Sequence, residues 1–170
     1  MLQCDYKFCP CCASLFTSKR LEGVERLVCS KCGFIFYQNP TPAVAVILFD
    51  SERVLLVKRK FPPRAGHWSL PAGFIEYHER VEETALREIK EETNLDIKLN
   101  EIYGIYSAYD DPDHHILLIV YWGEILKGKL IPGDDALDAQ FFPLEKLPED
   151  IAFSTHRFIL NDLKARKQKG

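Results

Sequence analysis

From position 43 the chain runs AVAVILFD, apolar and β-branched almost throughout, and after Asp50-Ser51-Glu52 the run RVLLVKRK (53–60) alternates toward a charged end. Two strand-like runs with a polar triplet between them predict a β-hairpin. The period then changes. Between Glu79 and Glu92, Val81, Ala85, Leu86 and Ile89 recur at spacings of three and four among strong helix formers, with glutamates opposite, which predicts an amphipathic helix. Strand-like runs follow at 96–107, 115–125 and 139–143, and Ser154 to Lys167 reads as a closing helix begun by a serine or threonine cap. Strands on both sides of one strong helix, with a second helix at the end, predict a mixed sheet packed between helices, its topology left open.

Residues 1–38 do not follow this pattern. All six cysteines fall there, at 4, 9, 11, 12, 29 and 32, and Gln38-Asn39-Pro40-Thr41-Pro42 has the turn chemistry of a short linker. The expected division is a small N-terminal unit, 1–38, and a larger domain, 39–170. Cys9-x2-Cys12 and Cys29-x2-Cys32, separated by sixteen residues, have the spacing of a two-knuckle, four-thiolate Zn²⁺ site, and Gly33 supplies the backbone freedom that a knuckle turn often requires. Four cysteine ligands leave no open coordination position, so the zinc is expected to be structural. The plain alternative is a set of reduced, unliganded thiols. Cys4 and Cys11 are read as bystanders, with Cys11 a rival to Cys12.

With 170 residues, 46% of them hydrophobic, the chain can build a packed core with room for an appendage, and disorder is not expected. A formal charge of −3 gives no broad positive field of the kind duplex nucleic acid recruits. The start MLQCDYKFCPCC lacks the basic and apolar regions of a signal peptide, and no segment has the roughly 18 apolar residues of a membrane span. The expectation is a soluble, cytoplasmic protein without a membrane partner.

Glu88, Glu91 and Glu92 stand at i, i+3 and i+4 of the predicted helix and share one face within a turn. Like charges at such spacings are unfavourable by roughly 0.2 to 0.5 kcal/mol per pair. A solvated acidic face is the bland explanation; a divalent cation that relieves the repulsion is the other. An oxygen-only ligand set suits Mg²⁺, or Mn²⁺ in its place, which neutralises a diphosphate and lowers the pKa of an attacking water.

The surroundings favour the second explanation. Gly73, five residues, Glu79, seven residues, Arg87-Glu88-Ile89, one residue, Glu91-Glu92, one residue, and Asn94-Leu95 resemble the Nudix hydrolase box, G-x5-E-x7-R-E-U-x-E-E-x-G-U, with U aliphatic. Asn94, in place of the last glycine, is the one departure. That position follows the helix and is expected to adopt the left-handed conformation, which asparagine tolerates. The resemblance implies an α+β fold, an α/β/α sandwich with a mixed β-sheet behind a zinc ribbon, and a metal-dependent pyrophosphohydrolase. It assigns Glu88 and Glu92 as central metal ligands, Glu91 as a further ligand or base, the carbonyl of Ala72 beside Gly73 as another ligand, and Arg87 as the residue that positions Glu79 or a neighbouring glutamate. GHWSLPAGFIE (66–76) looks like the family's entry to this loop, with Trp68 a packing residue and Glu76 an extra metal or substrate contact.

The ribbon, the join YQNPTPAVAV and the segment LDAQFFPLEKLPEDIAFSTH resemble ADP-ribose and FAD pyrophosphatases that carry a zinc ribbon. The resemblance implies a dinucleotide or nucleotide-sugar substrate and, by analogy, a homodimer. NADH ranks lower, because no SQPWPFP-type motif follows the box. Aromatic stacking on a base makes Phe34, Tyr37, Tyr106 and Tyr109 candidates, and the resemblance implies a later acidic residue in catalysis, Asp135 or Asp138, where relatives commonly have glutamates. Asp110, Asp111, Asp113, His114 and His115 read as a polar loop rather than a second metal cluster. The rival function is a nucleic-acid- or protein-binding ribbon joined to a nucleotide-sensing domain.

Overall fold

The structure is a computed structural model that describes residues 6–112, 114–133 and 135–167. Cys4 and Asp113 lie outside these residues. A small antiparallel sheet comes first, β1 (Phe16–Leu21), β2 (Val24–Cys29) and β3 (Ile35–Phe36), in that order. Glu22 and Gly23, with φ of 50° and 83°, make the two-residue turn between β1 and β2; positive φ at both positions matches the right-handed twist of a tight hairpin.

The second sheet has seven strands. Its order is β10 (Ala136–Pro143), β5 (Arg53–Arg59), β4 (Thr41–Asp50), β9 (Ile116–Lys127) and β8 (Asp96–Ala108), with β6 (Trp68–Ser69) paired to β5 and β7 (Ala72–Phe74) to β4. Only β4 and β9 run parallel, so the sheet is mixed. The helices are α1 (Val81–Thr93) and α2 (Ser154–Lys167).

The two-residue period of β4 builds both faces of the core. Ala43, Ala45 and Ile47 join Ile159, Leu160 and Leu163 of α2 in one cluster; Val44, Val46 and Leu48 join Ala85 and Ile89 of α1 in the other. Burying each larger aliphatic side chain contributes about 1.5 to 3 kcal/mol, so this strand anchors one helix to each face of an α/β/α sandwich.

Several expectations need correction. β4 and β5 pair only at Phe49–Val54 and Asp50–Arg53; beyond that they splay, and β7 and β6 fill the gap. Thr41 and Pro42 belong to β4 rather than to a linker, Pro42 being tolerated near the strand's start, where a missing N–H costs least. Leu86 is exposed because it lies about 100° around the helix from Ala85, off the Val81–Ala85–Ile89 stripe. Glu79 stands before α1. Ser154 is the first residue of α2 rather than its cap: its backbone N–H donates to Asp110 Oδ1 at 2.8 Å, so the β8–β9 loop supplies the cap from across the fold. Asn94 ends α1 at φ 59°, ψ 12°, the left-handed conformation its place in the box requires. Trp68 is buried, edge-on to Phe142 with ring centroids 4.8 Å apart, and is core.

Candidate active site

The box folds around Arg87. Its Nε donates to Glu79 Oε1 at 2.6 Å and Nη2 to Glu79 Oε2 at 2.8 Å, a two-pronged pair that reaches back before the helix. Nη1 donates to Glu88 Oε1 at 2.7 Å and to Glu91 Oε2 at 3.0 Å, and Nη2 also reaches the Phe74 carbonyl at 3.4 Å. One guanidinium therefore ties α1 to β7 and fixes three carboxylates. Arg87, followed by the Thr84 hydroxyl at 2.8 Å, holds the Glu79 carboxyl down at about 2.

Glu88 lies over Gly73. A Cβ built on that glycine would stand 1.9 Å from the Cδ and Oε1 of Glu88, so only a residue without a side chain lets the carboxylate sit there. Glu92 Oε2 accepts the Ala72 N–H at 3.1 Å. Burial pushes the Glu88 carboxyl up, and burial followed by the Glu88 charge pushes Glu92 up to about 8. Two glutamates crowded where their charges are penalised gain from a bound positive charge, and their carboxylates offer it oxygen ligands. This suits a hard divalent cation.

The cleft has a volume of about 280 Å³, with Gly73, Glu76, Glu88, Glu92 and Asp135 among its lining residues. Of the two late acids, Asp135 lies here, while Asp138 is exposed on β10 with its Oδ1 accepting the Ala139 N–H. Glu91 is exposed and meets Arg87 rather than the cleft.

In the small sheet the Sγ atoms of Cys9, Cys12, Cys29 and Cys32 lie within 4.8 Å of one another, with Cys9–Cys32 at 3.6 Å and Cys12–Cys29 at 3.4 Å. A tetrahedron with arms of about 2.3 Å has edges of about 3.8 Å, so four thiolates gathered this closely fit Zn²⁺. Cys11 is exposed and outside the group. It is the only group of metal-ligating side chains found among the described residues apart from the cleft carboxylates, and the 110–115 loop forms no such cluster there. Among these residues no helix is long and apolar enough to cross a membrane.

A family model described as NUDIX domain matches residues 39–162, and one described as Nudix N-terminal matches residues 7–38. The chain belongs to the Nudix hydrolase family. An ADP-ribose pyrophosphatase of Methanocaldococcus jannaschii is 44% identical over 127 residues, 74% of either protein. An NAD-capped RNA hydrolase NudC of Pseudomonas aeruginosa is 31% identical over 144 residues, 84% of this chain and 49% of NudC, so the chain spans about half the length of that relative. The crystal structure of a Nudix hydrolase from Nitrosomonas europaea superposes with a TM-score of 0.83 at 33% identity, over 96% of this chain and 93% of the other.

None of the aromatic candidates lines this Nudix cleft. Tyr37 lies under the Arg26 guanidinium, 4.6 Å from its ring centroid; Phe34 faces Phe16; Tyr106 packs against Tyr103 and against Phe158 of α2; Tyr109 meets His115. Tyr37 and Tyr109 remain exposed, and none of the four rings is among the residues that line the cleft. The structure instead brings in Arg59, at the end of β5, which lines the cleft and also a second, mostly apolar cavity of about 400 Å³ that shares Ala72, Gly73 and Phe74 with it. A single arginine closing a strand carries no spacing signal, and sequence reasoning passed over it.

Proposed function

We propose that the chain hydrolyses the diphosphate bond of a nucleoside diphosphate linked to a second moiety, ADP-ribose or FAD, releasing AMP with ribose 5-phosphate or FMN. The observation that carries this reading is the convergence of Glu88 and Glu92 on the Ala72-Gly73 backbone in one cleft, with Arg87 locking Glu79, Glu88 and Glu91. The name of the M. jannaschii relative, similar over three quarters of its length, supports ADP-ribose.

Glu88, Glu92 and the Ala72 carbonyl are the residues to hold Mg²⁺ or Mn²⁺, with Glu91 and Glu76 at the margin. Bound there, the cation supplies charge neutralisation for the diphosphate and acidifies an attacking water. The protein's own part is positional. Arg87 spends its donors on carboxylates and so keeps the ligands in register, Gly73 admits the Glu88 carboxylate, and Asp135 adds a carboxylate across the cleft from α1. The four cysteines of the ribbon are the ligands for a structural Zn²⁺.

The test is hydrolysis of ADP-ribose, FAD and NADH by wild type and by Glu92→Gln, with and without Mg²⁺. Wild type is expected to release AMP from ADP-ribose or FAD only with the cation, and Glu92→Gln to lose at least a hundredfold in kcat. Equal turnover by the two proteins refutes the assignment.

A further inference from the structure

The apolar cavity beside the cleft holds a buried side chain that the diphosphate chemistry leaves unused. His156, on the first turn of α2, is 4% exposed, and its Nδ1 accepts the backbone N–H of Leu70 at 3.1 Å. A backbone N–H can only donate, so Nδ1 carries no proton and the ring's single proton sits on Nε2. Among the described residues Nε2 has no hydrogen-bond partner, yet no side-chain nitrogen or oxygen of these residues that is sealed from solvent lacks one. Nε2 is therefore reached from the cavity that His156 lines. Burial first, and Arg59 second, push this imidazole down to about 4, so it stays a neutral donor at physiological pH.

The rest of the cavity suits a flat heteroaromatic ring. Ala43, Ala108, Ile116 and Leu118 form apolar walls. Phe153 meets His156 edge-on, with ring centroids 5.3 Å apart, and the Arg59 guanidinium lies over the Phe153 ring at 5.1 Å. Arg59 Nε is held by the Pro63 carbonyl at 2.9 Å, while its terminal nitrogens have no hydrogen-bond partner among the described residues. Since Arg59 also lines the carboxylate cleft, it stands where a phosphate leaving that cleft meets the apolar chamber.

We infer that this cavity is the adenine subsite, with His156 Nε2–H donating to a ring nitrogen of the base and Arg59 bridging base pocket and diphosphate. The inference rests on the proposed function for its choice of base, because adenine is the only heteroaromatic ring of ADP-ribose and is shared with FAD. His156 and Arg59 are then specificity-determining residues, which the box does not contain.

The experiment is calorimetric binding of AMP, of 1-deaza-, 3-deaza- and 7-deaza-AMP, and of ribose 5-phosphate, to wild type and to His156→Asn. Asparagine keeps an oxygen to accept the Leu70 N–H but has no donor at the Nε2 position. Wild type is expected to bind AMP more tightly than base-free ribose 5-phosphate, and to bind one of the three deaza analogues roughly three- to tenfold more weakly than AMP, the span of one neutral hydrogen bond. His156→Asn should lose the same factor for AMP, make no distinction between AMP and that analogue, and leave ribose 5-phosphate unchanged. Equal binding of AMP and all three analogues by wild type overturns the inference and needs no variant; so does a folded His156→Asn that still discriminates. Binding is read without turnover, so a protein that discriminates the analogues but hydrolyses neither ADP-ribose nor FAD removes the proposed function alone, and one that hydrolyses them without discriminating removes the subsite alone.

Discussion

Replacing Gly73 with alanine should separate activity from stability. The added Cβ would stand 1.9 Å from Glu88 Cδ, against about 3.4 Å for ordinary contact, so one of the two must retreat by 3.4 Å less 1.9 Å, or about 1.5 Å. The backbone is poorly placed to do so: Gly73 pairs with Val44 in the sheet, and Val44 is 1% exposed in the core over α1. The Glu88 carboxylate is a side-chain terminus and will move instead, giving up its 2.7 Å bond from Arg87 Nη1 and its place beside Ala72 and Glu92. A misplacement of about 1 Å at a reacting centre costs on the order of 100-fold in rate. The fold should feel much less, because Gly73 is not among the positive-φ residues and an alanine there restricts the unfolded chain, a gain of about 0.4 to 1 kcal/mol set against one strained side chain. The assay is AMP release from ADP-ribose under saturating Mg²⁺, beside a thermal melt of the same sample. A Gly73→Ala protein with wild-type kcat, or one whose activity falls only as far as its folded fraction, would refute this account of how Glu88 is held.

With no added divalent cation, stability should fall as pH rises from about 4.5 to about 8. Glu92 keeps its proton in the fold up to about 8 but ionises near the ordinary glutamate value of about 4.5 when unfolded, so the folded state binds more protons across that window and each rise in pH favours unfolding. Melting temperatures of wild type and Glu92→Gln at pH 5 and pH 8 check the sign, since the variant should lack that component and Mg²⁺ should cancel it in wild type. For the ribbon, metal analysis should find one tightly held zinc per chain, and Cys29→Ser/Cys32→Ser should lose it while the melting transition of the larger domain persists; zinc retained by that variant would dismiss the thiolate assignment.

How far the sequence reached depended on whether chemistry was local in the chain. Glu88, Glu91 and Glu92 share a helical turn, and the four cysteines sit on two CxxC turns, so spacing alone brought each set together. The sheet's inner strands could be recognised from their apolar runs, but β4's parallel pairing with β9 joins residues 75 positions apart, and neither strand's pattern records it. The same holds for Asp110 capping α2 and for His156 accepting from Leu70, 86 residues away. Tyr37 and Tyr106 show the complementary limit. A tyrosine's chemistry suits stacking on a base wherever it lies, and only the fold shows that Arg26 covers one ring and that Tyr103 and Phe158 flank the other.

The charges around the cleft bear on the order in which it can fill. Arg87 has every side-chain nitrogen committed, to Glu79 through Nε and Nη2 and to Glu88 and Glu91 through Nη1, so one positive charge already serves three carboxylates. With Glu92 holding its proton below about pH 8 until a cation displaces it, the charged residues lining the cleft are Glu76, Glu88 and Asp135 against Arg59 and Lys60. A diphosphate adds two more negative charges, and like charges 4 Å apart near a protein surface repel by about 4 kcal/mol per pair. Arg59 and Lys60 do not offset that. An anionic substrate therefore enters with cations or after them, and whatever the cations add to substrate affinity the substrate must return to cation affinity, because the coupling between two bound ligands is reciprocal. The acidity of this helix face, unfavourable to the isolated fold, should make substrate binding conditional on bound divalent cations.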